Sequence, residues 1–168
     1  TAIKASDLYK KYMQQILQIN EAPTDEDKSA QKEAQQNNLP NKDLLKARIL
    51  FDGTYLDKAL TTINAINQNK LSGTRNQIEY YYRKARIYDE LKRTNDAVKF
   101  YLLTIQKGET FDYYFAANAC IKLGNILELQ KRIANATYYY KKAISLDKDE
   151  YTNSINAEAK AGLNRLGN

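Results

Sequence analysis

Apolar residues along this chain recur at intervals of three and four, the period of an amphipathic helix. In "SDLYKKYMQQILQI", Leu8, Tyr12, Ile16 and Ile19 fall on one face, and Ser6 stands where an N-cap is expected. The following stretch, "TDEDKSAQKEAQQNN", favours helix but has almost no large apolar residue. It predicts an exposed, weakly held helix or linker that ends before Pro40. From Pro40 onward the spacing predicts successive amphipathic helices of about 12 to 18 residues. No alternating pattern marks a strand, and 2 prolines and 6 glycines leave few breaks. The expected fold class is all-α.

Self-comparison of the helical stretch reveals a repeat. When residues 44–66, 81–105 and 120–144 are aligned, Ala47, Ala85 and Gly124 coincide. Ala59, Ala97 and Ala136 follow 12 residues later, then Ile63, Tyr101 and Tyr140, then Ile66, Thr104 and Ala143. Units begin near residues 40, 78 and 117. A fixed period of this length, with small and large residues at fixed offsets, indicates stacked helix pairs. Small residues let two helices approach closely, and a large residue fills the gap to the next pair. In "NATYYYKKA" this places Ala136, Tyr140 and Ala143 on the inward stripe and leaves Tyr138 and Tyr139 to the surface or a neighbour.

These positions resemble the tetratricopeptide repeat, a 34-residue unit with a small residue at 8, a large one at 11, Ala at 20, an aromatic at 24 and Ala at 27. Position 11 is Leu50, Tyr88 and Leu127, and the third unit matches best. The units depart from the pattern in lacking the proline at position 32 (Leu71, Glu109, Lys148), in the large Ile66 at position 27, and in running four or five residues long. The surplus is expected to lengthen the first helix of the next pair. The resemblance implies a right-handed superhelical α-solenoid of antiparallel helix pairs, forming a single helical-repeat domain. Residues 1–39 would be N-terminal helices or a partial repeat, 40–77, 78–116 and 117–150 the repeats, and 151–168 a cap. That final helix is expected from about Asn153 to Leu166, with Gly167 as stop. Ala157, Ala161 and Leu163 would cover the core while Glu158, Lys160 and Arg165 face water.

Composition narrows the chemistry. There are 26 Lys and Arg against 20 Asp and Glu, and the resulting +6 divides over residues 1–39, 40–77, 78–116 and 117–168 as −1, +3, +1 and +3. Without a run of like charge, the pI of 9.2 points to no nucleic-acid or membrane tail. The absence of histidine removes the commonest general base and metal ligand. The single cysteine, Cys120, falls at a packing position of its repeat, and no apolar run is long enough to span a membrane. The carboxylates Asp89 and Glu90, and Asp147 with Asp149 and Glu150, are expected to be solvated. Asn135 opens a glycosylation-type "NAT" on a helix surface. No catalytic constellation and no cofactor motif emerge. The chain opens on "TAIKAS", which reads as an excised segment of a larger protein. "YYFAANAC" and "NAEAKAGLNRL" resemble the C-terminal ends of some exported bacterial tetratricopeptide proteins, which implies a periplasmic or exported setting.

In the family, positions 2, 5, 6, 9 and 12 of the first helices project into the concave groove. Here the resemblance assigns a groove to Arg48, Phe51, Tyr82, Arg83, Arg86, Lys122 and Asn125, with Leu44 beside them. Cations interleaved with apolar contacts suit a peptide bearing carboxylates. The carboxylate clamp of chaperone-binding members is not reproduced, since Leu44, Arg48, Arg83 and Asn118 replace its residues and Lys122 alone keeps its basic character. The expected function is a non-enzymatic scaffold binding a protein or peptide, an acidic one included. A nucleic-acid-binding solenoid and an architectural spacer are the alternatives.

Overall fold

The computed structural model describes residues 2–19, 21–22, 24–36, 40–146 and 151–167. Among these residues there are helices and turns but no strand. The chain falls into two compact units, Thr1–Pro40 and Asn41–Asn168.

In the first unit, α1 (Ala2–Leu17) packs against α2 (Asp25–Gln36). Helix α1 is already under way at Ala2, so Ser6 lies inside it and is not its N-cap; Ala2 and Lys4 are good helix formers and extend it upstream. Helix α2 forms where expected, but it is not simply exposed: Ala34 is buried and residues 30–33 are half-buried. Thr24 Oγ1 accepts from the Asp27 amide at 3.1 Å, and Asp27 Oδ2 accepts from the Thr24 amide at 3.2 Å, which satisfies two end donors reciprocally. Gln31 Nε2 ties α2 to the Ile19 carbonyl at 2.8 Å. Of the α1 stripe, Ile16 is half-buried whereas Leu8, Tyr12 and Ile19 are exposed.

The second unit contains α3 (Lys42–Asp52), α4 (Leu56–Asn64), α5 (Thr74–Glu90), α6 (Thr94–Gly108), α7 (Phe115–Leu129), α8 (Ile133–Ser145) and α9 (Thr152–Arg165). Successive helices pack on one another, and α3–α4, α5–α6 and α7–α8 form the hairpins. Helix α4 is only 9 residues long, shorter than the spacing predicts, and a 3₁₀ turn at Gln68–Lys70 follows it. The extra length does extend the next first helices, since α5 starts at Thr74 and α7 at Phe115. Helix α3 also touches α5, α5 touches α7, and α7 touches α9, with no comparable packing between α4 and α6 or between α6 and α8. Helices closer on one side than on the other make an array that curves, and its inner wall is the odd-numbered set.

Each hairpin turns by the same device. Thr54, Lys92 and Lys131 occupy position 15 of their units with φ of 63°, 59° and 59°. Their amides donate to the carbonyls of Phe51, Asp89 and Glu128, and the next amides (Tyr55, Arg93, Arg132) donate to Leu50, Tyr88 and Leu127. This is the Schellman closure, made here three times without glycine at the left-handed residue.

The repeat positions are the core. Ala47, Ala59, Ile63, Ala85, Ala97, Ala136 and Tyr140 are fully buried, with Tyr101 and Ala143 at 1%. Tyr138 is 57% exposed, and Tyr139 packs half-buried against the core. The Tyr140 ring lies between two glycines. A Cβ on Gly124 would sit 2.7 Å from Cε1 of the ring, and one on Gly162 2.6 Å from Cζ. That wedge sets the register of α9, whose buried residues are Ile155, Ala159 and Gly162. Ala157 and Ala161 are exposed, contrary to the covering role expected of them, because the stripe rotates to bring Gly162 onto the ring. Gly167, with φ 76°, ends the helix as anticipated.

Candidate functional site

Every candidate residue lies on α3, α5 or α7, but in different states. On α3, Leu44 is buried, Phe51 half-buried and Arg48 exposed. On α5, Tyr82 and Arg83 are buried at 2% and 6%, and Arg86 is half-buried. On α7, Lys122 and Asn125 are half-buried.

Arg83 is part of the packing, not an open cation. Its Nε donates to Glu79 Oε1 at 3.0 Å, one helical turn away, and Nη2 donates to the Tyr114 hydroxyl at 3.2 Å. The Tyr114 ring packs on Tyr82 and Phe115, so this arginine joins α5 to the start of α7. Arg86 differs. Its guanidinium lies 4.4 Å from the centroid of Phe51 and 5.9 Å from that of Tyr82, and among the described residues it has no carboxylate partner. Arg48 likewise forms no ion pair there. The Tyr82 ring beside Arg86 is buried, and that burial pushes its phenol up.

Toward α9 the wall satisfies itself. Tyr140 donates its hydroxyl proton to Glu128 Oε2 or Asn125 Oδ1, each 2.6 Å away. Arg165 grips Glu128 with Nε and Nη2, both at 2.9 Å. This guanidinium, helped by the Tyr140 hydroxyl, lowers the Glu128 carboxyl to about 2. Burial, then the Glu128 charge, pushes the Tyr140 phenol up. Lys122 Nζ reaches Glu158 Oε1 at 3.2 Å, with Asn125 Nδ2 at 3.5 Å from the same oxygen. Glu158 and Arg165 are thus exposed but engaged, where the pattern left them merely facing water.

One relation was readable and overlooked. Asp89 accepts from the Tyr101 hydroxyl at 3.0 Å, as Glu128 does from Tyr140. In both repeats a carboxylate at position 12 precedes a buried tyrosine at position 24 by 12 residues. Asp89 is therefore engaged instead of simply solvated, because a phenol carried into a core needs an acceptor. Outside the wall, Cys120 is fully buried and burial pushes its thiol up to about 12, the state of an inert packing residue. Asn135 is exposed on the first turn of α8. Asp147, Asp149, Glu150 and Lys148 lie outside the described residues.

The family model for the tetratricopeptide repeat matches residues 78–105 and 117–150. The chain carries tetratricopeptide repeats. No curated protein and no solved structure matches the chain. Tetratricopeptide repeats commonly mediate protein–protein interaction, which supports a scaffold module. The matched segments are the two repeats with a tyrosine at position 24. The preceding pair, α3–α4, continues the same stacking but has Ile63 there. Among the described residues no helix is long and apolar enough to cross a membrane.

Proposed function

We propose that the inner wall of residues 41–168 is a non-enzymatic docking face for a protein partner, recognised through an acidic segment or a C-terminal carboxylate. The observation that carries this reading is Arg86, stacked on Phe51 with no carboxylate partner among the described residues. Stacking spends the face of a guanidinium and leaves its edge donors free, so the group is oriented for a bidentate carboxylate. Arg48 on the neighbouring helix supplies further donors, with Lys122 and Asn125 farther along. The three helix pairs and α9 act as one unit in this reading. The likeness of "YYFAANAC" and "NAEAKAGLNRL" to exported bacterial relatives supports a periplasmic or exported setting.

Calorimetric titration with an oligoglutamate peptide at two salt concentrations tests the reading. Arg86→Ala should weaken binding by about 1.5–3 kcal/mol for each charge-assisted bond lost, with fold stability almost unchanged. Arg83→Ala is the wrong probe of the groove. It removes the donor of a buried hydrogen-bonded pair, and should cost about 1–3 kcal/mol of stability because the remaining acceptor loses its partner. Binding unaffected by Arg86→Ala combined with Arg48→Ala would replace this reading with an architectural spacer. Tighter, steeply salt-dependent binding of duplex DNA would replace it with nucleic-acid recognition, since duplex affinity follows the number of phosphates neutralised.

A further inference from the structure

Lys122 and Asn125 stand on α7 at the positions through which the inner wall would hold a ligand carboxylate, and a carboxylate is already there. It belongs to Glu158 of α9, whose Oε1 lies 3.2 Å from Lys122 Nζ and 3.5 Å from Asn125 Nδ2. We infer that Glu158 is a built-in occupant of a carboxylate subsite on α7, and that a ligand carboxylate enters this subsite by displacing it. The inference rests on the docking face proposed above and adds to it a regulation. The Arg48–Arg86 end is open to a partner, whereas the Lys122–Asn125 end is closed until Glu158 lets go.

Two features make the contact displaceable. The pair is exposed, at 32% for the Lys122 side chain and 46% for Glu158, and a pair of that kind shifts an equilibrium by a factor of about five or less. Releasing it does not require α9 to leave. Helix α9 is held separately by the two-pronged Arg165–Glu128 pair and by Ile155, Ala159 and Gly162 in the core. An open cleft of about 320 Å³ lined by Asn125, Glu128, Leu129, Glu158 and Arg165 gives the side chain room to swing aside. The contrast with Arg83 is instructive. Its partner Glu79 lies on the same helix within a packed surround, and no ligand could take that place without opening the core.

The test is Glu158→Gln, which keeps the shape and removes the charge. Fluorescein-labelled oligoglutamate should bind this variant about two- to fivefold more tightly than the parent chain. Glu90→Gln, the same charge change at an exposed residue of α5, should bind as the parent does, and the gain should vanish in a Lys122→Met background. A Glu158→Gln variant no tighter than Glu90→Gln overturns the inference, even while Arg86→Ala still loses binding and so leaves the docking face standing. A gain that survives Lys122→Met also overturns it. If no form binds oligoglutamate, the docking face falls, and acetate titrated against the Asn125 side-chain amide by NMR decides the subsite alone. Saturation at lower acetate in Glu158→Gln than in the parent supports the built-in occupant; identical titrations overturn it. Thermal melts of each variant confirm that α9 stays docked.

Discussion

The first and third helix pairs, α3–α4 and α7–α8, share a register and differ in what fills it. In α7–α8 the buried residue at position 24 is Tyr140, whose ring requires bare backbone at Gly124 and Gly162 and whose hydroxyl requires an acceptor. Glu128 at position 12 supplies that acceptor, Arg165 neutralises Glu128, and the inner wall at this end becomes a closed polar network. In α3–α4 the same position is Ile63, which needs no acceptor, so position 12 is free to be Phe51. Phe51 then carries Arg86, a cation with no carboxylate partner among the described residues. Isoleucine or tyrosine at position 24 thus goes with an apolar residue or a carboxylate at position 12.

The largest test of this comparison is at position 24 itself. Tyr140→Ala should lower stability by about 3–5 kcal/mol, and Ile63→Ala by less, toward the lower end of about 2–5 kcal/mol. Tyr139→Ala should fall well below both, because only part of that ring is covered; equal losses at Tyr139 and Tyr140 in urea melts would break the register. Next comes the glycine. Gly124→Ala should cost about 1–3 kcal/mol by driving a Cβ into the ring. The cost should shrink when Tyr140 is replaced by Ile, the residue that lets α3 keep Ala47. A double-mutant cycle with no coupling would show that the ring does not dictate the glycine.

A third test uses acid. The folded-state carboxyl of Glu128 is lowered to about 2 from an ordinary 4.5, so its contribution is present above pH 4.5 and is lost as pH falls toward 2. The stability gap between the parent chain and Glu128→Gln should therefore close over that window. The α3–α4 pair has Phe51 at this place and contributes no such titration. A gap independent of pH between 4.5 and 2 would remove the carboxylate from the network. The smallest effect lies where the two pairs agree. Thr54→Gly and Lys131→Gly should each raise stability by up to about 1 kcal/mol. The left-handed conformation costs a side-chain-bearing residue roughly 1–2 kcal/mol, and glycine returns roughly 0.5–1 of that as chain entropy. Unequal responses in thermal melts would show that the turns are not equivalent.

Much of this fold could be read from spacing because a helical repeat writes its contacts locally. Ala136, Tyr140 and Ala143 face inward at i, i+4 and i+7 whatever surrounds them, and the turn at position 15 follows from the length of the first helix. Reading failed where the neighbour was distant in sequence. The stripe of α9 could not be placed from "NAEAKAGLNRL" alone, since Ala157, Ala159 and Ala161 are equally small and only the Tyr140 ring chooses among faces. Arg83 looked like the other basic residues of the wall, and its burial depends on Tyr114, 31 residues away. The spacing of Asp89 from Tyr101, and of Glu128 from Tyr140, was a pairing signal present in the sequence.

By itself, then, the sequence determined that the chain is helical, that its pairs repeat, and which residue of each turn is small or large, because amphipathic period and steric size are properties of a helix and its immediate neighbour. Only the tertiary structure decided which charges are spent and which are free. An arginine bears the same charge wherever it stands. Whether it binds Glu79, clasps Glu128 or lies unpaired over Phe51 depends on which helix curves past it, and that is set by the stacking of one pair on the next.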